Sequence, residues 1–399
     1  MGNKPRGSRS KTIYMQVKSL VQRARRYGVS KREEPPEIRQ VSIYNMNTYE
    51  KVRSVGMSFA RWLSEQRGTP VFRMVEIKAR EVDAYVRHRK ELYERGEVTA
   101  ATLQADISAI KKIEAMVNYR YGNVEWGIPA ERGGRREKWG LPRRERDKNA
   151  PQRGPAYTQK QGDRIVRELE LRCGREVADA LRFCRATGCR LESLVDLGEK
   201  GIRASRINTK EGTITLLEKG GKWRTVQYDS RYQEFMEGLA ARAQGDNRDR
   251  PLFAWPVKGS NAPGGERLKA EQMWEEKKRA ARYLHRAVKE AAEKDGFTGR
   301  GLHGFRKEFA VRRHAEYLRE VRSMVQSKNW QGLSSGYGVS ERKARDIVEG
   351  WARVGRDVKE CRRLAKEMDC LARLKLSKDL GHNRLDVTYA YVPGKGNKL

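Results

Sequence analysis

Positive charge is the feature that most constrains what this chain can fold into. Its 86 lysines and arginines outnumber 52 aspartates and glutamates, which leaves a formal net charge of +34 over 399 residues. Repulsion on that scale destabilises a compact fold unless a polyanion neutralises it. Because each cationic side chain that meets a phosphate releases a condensed counterion, the charge favours nucleic acid as the partner.

Composition otherwise fits a globular protein inside the cell. The hydrophobic fraction of 37% is enough for packed cores, and the length allows two domains. Five cysteines without a C-x-x-C pair disfavour a zinc site or a disulfide framework. No apolar run approaches the ~18 residues of a membrane span, and the first residues lack a secretory signal. We therefore expect no membrane partner and a cytoplasmic, nucleoid-associated location, or the host cytoplasm if the chain is viral.

The pattern along the chain divides it into four segments. Residues 1–40 are basic, with apolar residues at helical spacing, and predict either a cationic helix or a solvated tail. Residues 41–126 show helical periodicity throughout and predict a small bundle. Residues 127–156 place glycines and prolines among arginines, as in a linker that either follows a DNA backbone or is simply solvated. Residues 157–399 form the second domain.

The second domain is predicted to be mainly helical with a small sheet. Residues 213–217 and 223–227 read as strands, and the Gly-Gly pair between Lys219 and Lys222 is typical of a β-hairpin. Beyond about residue 265 the pattern is helical to the end. The predicted fold class is mainly α with a small antiparallel β-sheet (α+β).

A protein can break a phosphodiester either with metals held by carboxylates or with fixed cations around the phosphate. The sequence shows no compact cluster of carboxylates with histidine, so we expect no metal. Arg190 instead follows Gly188, where one helix ends and the next element begins. A helix N-terminus favours phosphate, and arginine adds a bidentate fork.

Two further segments carry histidine. His303 and Arg306 are three residues apart, which on a helix directs both to one face, although a surface histidine beside a surface arginine gives the same pattern. His382 follows Gly381 at the end of a predicted helix, ahead of two tyrosines. Residues two apart on a helix point about 200° apart, so only one tyrosine can face a site there.

In chain order, these segments resemble the motifs of the tyrosine recombinase (phage-integrase) family. The segments are Thr187-Gly188-Cys189-Arg190, Lys219 in the hairpin, His303-Gly304-Phe305-Arg306, Leu380-Gly381-His382 and a following tyrosine. The resemblance covers residues 158–399 as the catalytic domain. The bundle of residues 41–126 looks like the family's helical core-binding (SAM-like) domain.

The resemblance implies a role for each matched residue. Arg190 and Arg306 would clamp the scissile phosphate, where lysine is a poor substitute. Lys219, or Lys222 if the register slips, would protonate the leaving 5′ oxygen. The family's spacing of nine residues after the second histidine picks Tyr391 as the nucleophile, with Tyr389 packing on the core. His303 would exchange a proton with Tyr391, and His382 would donate to the phosphate.

Three departures from the family pattern stand out. Ser193 occupies a position that is usually acidic, and Glu192 lies one residue earlier. Residues 318–372 form an atypical helical insertion, for which amphipathic packing is favoured over a helix-turn-helix. Only Val392–Leu399 follow Tyr391, which looks too short for an exchanged C-terminal helix, so the insertion would supply tetramer contacts.

The resemblance predicts a site-specific recombinase that works without metal, ATP or another cofactor. A homotetramer would join two double-stranded DNA core sites through a Holliday junction and integrate or excise a mobile element or viral genome. Residues 1–40 would bind accessory arm sites, and DNA-bending proteins would be additional partners. The alternatives are a type IB topoisomerase-like relaxing enzyme and a non-catalytic DNA-binding protein derived from a recombinase.

Overall fold

The computed structural model divides into two compact units, Met1–Gln152 and Arg153–Leu399. The residues that it describes are 12–27, 29, 31, 33–122, 124–143, 148–149, 156–218, 222–242, 250–253, 270–297, 301–354, 357–382 and 385–392. Within these ranges, no helix is long and apolar enough to cross a membrane.

The described part of the first unit is helical. Its helices are α1 (Ile13–Arg23), α2 (Pro36–Val41), α3 (Met46–Arg67), α4 (Ala79–Glu94), α5 (Ala100–Tyr121) and α6 (Arg132–Trp139). Their apolar faces meet around the fully buried side chains of Phe59 and Trp126. The stripe of apolar residues predicted for 41–126 is therefore the core of this unit.

Two segments differ from the predicted division of the chain. In residues 1–40, α1 buries Val17 and Val21 in the same core as Phe59, because its apolar stripe needs a partner surface. In residues 127–156, Ile128 and Leu141 are also buried in that core. The first compact unit thus takes helices from both segments. Of the two alternatives for residues 1–40, the structure shows the helix over Ile13–Arg23.

The second unit combines helices with one small sheet. Its elements are α7 (Gln159–Cys173), α8 (Arg175–Thr187), α9 (Leu191–Leu194), β1 (Ile207–Asn208), β2 (Thr213–Glu218), β3 (Lys222–Gln227), α10 (Gln233–Ala241), α11 (Ala270–Lys294), α12 (Gly301–Gln326), α13 (Trp330–Tyr337), α14 (Glu341–Arg353) and α15 (Val358–Asp379). The strands pair antiparallel in the order β1-β2-β3, with Ile214 opposite Val226 and Leu216 opposite Arg224. The predicted hairpin and the predicted fold class, mainly α with a small antiparallel sheet, are confirmed.

Helix α12 organises the core of the second unit. Its Phe305 and Phe309 are fully buried, and it packs against both α8 and α15. The end of α8, the start of α12 and the end of α15 carry the three motifs recognised in the sequence. Packing of these helices therefore brings together residues that are nearly two hundred positions apart.

The atypical stretch 318–372 is part of this core. Leu333, Tyr337, Ile347 and Met368 on α13, α14 and α15 are buried with the rest of the unit's apolar side chains. The stretch therefore packs as an amphipathic insertion, which is the favoured interpretation of its sequence.

Candidate catalytic site

Arg190 is placed by the glycine that ends α8. Gly188 has a φ of +59° and occupies the left-handed C-cap position, which only glycine adopts without strain. A Cβ at Gly188 would collide with the Phe309 ring on α12. Arg190 then stands at the N-cap of α9, with its side chain half-buried. The Gly188-Cys189-Arg190 sequence thus turns the chain where α8 touches α12.

His303 and Arg306 lie in the first turns of α12. The i, i+3 spacing directs both side chains to the same face, as predicted. Arg306 is buried at 3% exposure, whereas His303 is exposed. The guanidinium of Arg306 donates to the Gly188 carbonyl and, at 2.7 Å, to the Leu380 carbonyl. A buried guanidinium that donates to two main-chain carbonyls is held in one orientation.

His382 is fixed by the way α15 ends. Gly381 has a φ of +67°, its N–H donates to the Lys378 carbonyl at 2.8 Å, and the N–H of His382 donates to the Ser377 carbonyl at 2.9 Å. This pattern closes the last turn of the helix and satisfies its terminal carbonyls. The main chain of His382, which carries the imidazole, is therefore fixed at the end of α15.

Tyr391 follows a 3-10 turn over Asp386–Ala390 and is buried at 8% exposure. Its hydroxyl oxygen lies 3.4 Å from Nε of Arg306 and 3.2 Å from Nε2 of His382. The His303 ring is also adjacent, with its centroid 5.3 Å from that of the Tyr391 ring. One phenol is thus surrounded by an arginine and two histidines from separate parts of the chain.

The neighbouring tyrosine faces elsewhere. Tyr389 is 45% exposed, and the guanidinium carbon of Arg373 lies 4.3 Å from its ring centroid. The prediction that only one of the two tyrosines faces the site is confirmed. The expectation that Tyr389 packs on the core is wrong, because its side chain is exposed and its ring lies against the buried guanidinium of Arg373.

The Leu380 carbonyl joins the two arginines of the site. It accepts from Nη2 of Arg306 at 2.7 Å and from Nη2 of Arg190 at 3.3 Å. Burial lowers the pKa of Arg190 to about 10, and the charges of Arg306 and Arg224 act in the same direction. The cluster therefore carries an excess of positive charge that a bound anion would relieve.

A buried ion pair sets the distance between α8 and α12. Nη2 of Arg185 lies 2.8 Å from Oε1 of Glu308, and both side chains are about 95% buried. The pair rests directly against Gly162 of α7, where a Cβ would come within 2.9 Å of both side chains. Because Arg185 and Glu308 are close to Arg190 and Arg306 in sequence, this pair helps to hold the two site arginines together.

Five of the six predicted site residues meet in the structure. Arg190, His303, Arg306, His382 and Tyr391 converge, whereas Lys219 lies outside the described residues, and so does the side chain of Lys222. Among the described residues, no group of three or more histidine, cysteine, aspartate or glutamate side chains is placed to hold a metal ion.

Two buried arginines beside the site were missed by sequence reasoning. Arg373, at 1% exposure, donates from Nη1 to the Val392 carbonyl at 2.7 Å and so anchors the segment that carries Tyr391. Arg224 of β3 donates to the Asp379 carbonyl at the end of α15. The alternation of Arg224 with buried Val226 along the strand is a sequence signal that would have placed Arg224 on the inner face.

Comparison with known proteins finds similarity at the level of structure. Neither a protein-family model nor a curated protein matches this chain. Several solved tyrosine recombinases do match. The XerH site-specific recombinase bound to a palindromic difH substrate has 13% identity and a TM-score of 0.45, over 87% of this chain and 76% of that one. The Tn1549 transposon integrase in complex with transposon right-end DNA has 11% identity and a TM-score of 0.47, over 96% and 95%.

A lambda integrase dimer bound to a COC′ core site is a third match, with 13% identity and a TM-score of 0.45 over 89% of this chain and 91% of that one. At such identities, and with TM-scores below 0.5, these similarities carry no functional argument. The chemistry of this chain is inferred from the arrangement of its own side chains around Tyr391.

Proposed function

We propose that this protein is a site-specific DNA recombinase that cleaves and rejoins DNA through a 3′-phosphotyrosine bond to Tyr391. One observation carries the proposal: the Tyr391 hydroxyl lies within hydrogen-bonding distance of both Arg306 and His382. A phenol with a reference pKa near ~10 needs cationic or basic neighbours to act as a nucleophile at neutral pH. Binding of DNA alone makes no demand for this arrangement.

The chemical step is a transesterification at phosphorus. The Tyr391 oxygen attacks, the bond from phosphorus to tyrosine forms, and the bond from phosphorus to the 5′ oxygen breaks. The phenol proton passes to His382, whose Nε2 lies 3.2 Å from the hydroxyl oxygen, rather than to His303, to which the family resemblance gives this role. The leaving 5′ oxygen takes a proton from Lys219, as the same resemblance implies. Arg190 and Arg306 stabilise the added negative charge on the non-bridging oxygens. The reverse attack by a 5′ hydroxyl restores the phenol, so rejoining needs no external energy.

A cationic groove beside the site suits the flanking DNA backbone. Leu191, next to Arg190, lines it together with residues of α11, namely Lys278, Ala281, Arg282, His285, Arg286 and Lys289. The polar members recur at helical spacing, so their side chains form one stripe along α11. Such a stripe matches a run of phosphates leading away from the cleaved one.

Covalent trapping tests the proposal directly. The protein is incubated with a library of duplexes of random sequence that carry a nick at a fixed position. Cleavage next to the nick releases a short fragment, which prevents rejoining. We expect protein–DNA adducts that survive denaturation, and sequencing of the recovered DNA should give a consensus site. Absence of any adduct across the library would contradict the proposal.

Plasmid assays separate the proposed recombinase from a relaxing enzyme. A supercoiled plasmid with two copies of the recovered site should yield recombinant circles, whereas a plasmid without the site should stay supercoiled. Relaxation of both plasmids without recombinants would favour a type IB topoisomerase-like enzyme. The family resemblance further suggests a homotetramer on two sites, with a Holliday junction as intermediate and integration or excision of a mobile element as the use. Accumulation of four-way junctions with the two-site plasmid is the corresponding measurement.

A further inference from the structure

Arg224 is a charged side chain among buried apolar neighbours of the sheet. It lies on β3 opposite Leu216 and two residues from Val226, both of which are buried. Arg224 itself is only 9% exposed. Because burial of a cation is costly unless it is paired and hydrogen-bonded, such a residue is retained only where it makes specific contacts.

The contacts of Arg224 lead to the end of α15. Nη1 of Arg224 donates to the Asp379 carbonyl, and the next carbonyl, that of Leu380, accepts from Arg190 and Arg306. Three guanidinium groups thus bind two consecutive carbonyls at a helix C-terminus, which carries partial negative charge. The hydrogen bond from Arg224 is the link that joins the hairpin to this point.

The electrostatic surroundings place Arg224 in the same site. Burial lowers its pKa to about 9, and the charge of Arg306 adds to the effect. Tyr391 and Asp379 act in the opposite direction. The charge of Arg224 is therefore felt by the groups that surround the nucleophile, although none of the sequence motifs includes this residue.

We propose that Arg224 is a positioning residue, which docks strand β3 of the β2–β3 hairpin onto the end of α15 and so supports proton donation to the leaving oxygen by the hairpin. The inference rests on the proposed function, because the turn between β2 and β3 carries Lys219, the proposed donor to the leaving oxygen. Without the hydrogen bond to the Asp379 carbonyl, the hairpin would no longer be fixed relative to the Leu380 carbonyl, which binds Arg190 and Arg306.

Substrates with different leaving groups test this role. A 5′-oxygen leaving group needs a proton, whereas a 5′-sulfur leaving group in a bridging phosphorothiolate departs as the thiolate. Arg224→Gln should slow single-turnover cleavage of the oxygen substrate about 100-fold and that of the sulfur substrate less than about threefold. Affinity for DNA should change less than about threefold. Equal losses on both substrates, or no loss, would refute docking of the hairpin for proton donation.

Two comparison variants complete the experiment. Arg206→Gln removes a charge from the other face of the hairpin, where Arg206 lies over the Trp223 ring, and should leave both rates within about twofold. Arg224→Lys keeps the charge and a donor, so it should cleave the oxygen substrate about tenfold faster than Arg224→Gln does. If Arg224→Gln fails to fold, Arg224→Lys carries the same test, and failure of both variants to fold would mean a purely structural role.

Hydrogen exchange separates failure of this inference from failure of the proposed function. Arg224→Gln should speed exchange of the β2 and β3 amides at least about tenfold, including those of the Leu217–Trp223 pair, whereas Arg206→Gln should not. Unchanged exchange would refute docking, even if the wild type cleaves DNA. Absence of adducts with the wild type, together with faster exchange in Arg224→Gln, would refute the recombinase and leave the docking contact established.

Discussion

The Nε of Arg306 lies 3.4 Å from the hydroxyl oxygen of Tyr391, although 85 positions separate them in the sequence. An arginine N–H that donates to the phenol oxygen fixes the direction in which that oxygen points. The same guanidinium is held on its other edge by the carbonyls of Gly188 and Leu380. The nucleophile is thus oriented by a side chain that is itself fixed by the main chain.

Replacement of the nucleophile gives the first prediction. Tyr391→Phe keeps the ring and loses only the oxygen, so covalent adduct formation should fall by at least about 10⁴-fold while DNA affinity stays within about twofold. Tyr389→Phe is the matched control. The Tyr389 ring is exposed and lies against Arg373, so removal of its hydroxyl should leave the site arginines in place. Adducts with Tyr391→Phe, or their loss with Tyr389→Phe alone, would identify the wrong tyrosine.

The two site arginines should differ in their effect on stability. Arg306→Ala leaves the buried Gly188 carbonyl without this donor and the Leu380 carbonyl with only the longer hydrogen bond from Arg190. An unsatisfied buried group costs about 1–3 kcal/mol. Arg190→Ala removes a half-buried side chain whose charge is repelled by Arg306 and Arg224. Both variants should lose cleavage by about 10³-fold or more, but only Arg306→Ala should lower the melting temperature, by several degrees. Thermal unfolding and adduct assays check the pair, and equal melting temperatures would contradict this division.

Gly188→Ala tests the turn that places Arg190. An alanine there must adopt a positive φ, which costs about 1–2 kcal/mol, and its methyl group must displace the Phe309 ring, which costs about 1–3 kcal/mol more. Urea unfolding should show a loss of about 2–5 kcal/mol, accompanied by slower cleavage. Gly238→Ala, in the middle of α10 with nothing near its added methyl group, should instead stabilise by about 0.5–1 kcal/mol. If Gly188→Ala leaves the free energy of unfolding unchanged, the turn tolerates a side chain that its geometry should exclude.

Removal of one partner of the buried pair of Arg185 and Glu308 should lower the free energy of unfolding strongly. Replacement of both partners by apolar residues should lower it much less. Glu308→Gln leaves a buried guanidinium with Asp163 as its remaining carboxylate, and we expect a loss of about 3 kcal/mol. The double variant Arg185→Met with Glu308→Leu removes both charges and should recover most of that loss. Urea unfolding of the wild type, the single and the double variant provides the measurement. A double variant as unstable as the single one would show that the fold needs the ion pair itself.

The cationic stripe on α11 predicts a salt dependence of DNA binding. Each lost phosphate contact should reduce the slope of log Kd against log salt concentration by about 1. Arg282→Ala should therefore lower the slope by about 1, and its combination with Arg286→Ala by about 2. Arg279→Ala is the control, because Arg279 lies outside the groove and pairs with Glu276 at 3.0 Å. Unchanged slopes would exclude this stripe from the DNA-binding surface.

The sequence was informative where chemistry is tied to local spacing. The i, i+3 step from His303 to Arg306, the glycines that end α8 and α15, and the hairpin between β2 and β3 are all short-range features, and the structure shows each of them. Local geometry also predicted that only one of Tyr389 and Tyr391 can face the site, since opposite faces of a short helical turn cannot both meet it. The choice of Tyr391 came from the spacing that the family resemblance implies.

The residues that sequence reasoning missed act over long distances. Arg224 and Arg373 are two cations among 86. The alternation along β3 could have placed Arg224 on the inner face, but no local pattern shows what either guanidinium binds. Their acceptors are main-chain carbonyls of residues 379 and 392, which only the tertiary fold brings within reach. The burial of α1 in the first core was likewise not predicted, because the surface that it packs on, mainly α3, forms only in the tertiary fold.

The guanidinium groups of Arg190, Arg224 and Arg306 all rest on peptide oxygens, at positions 188, 379 and 380. A peptide oxygen survives every substitution at its own position, so the anchoring itself makes no demand on the side chains at positions 379 and 380 as long as the backbone path is kept. Proteins with divergent sequences can then share this anchoring although few of their residues are identical. Replacement of the amide that follows Leu380 by an ester, which weakens the oxygen as an acceptor without changing any side chain, would disturb the anchoring where ordinary mutagenesis cannot.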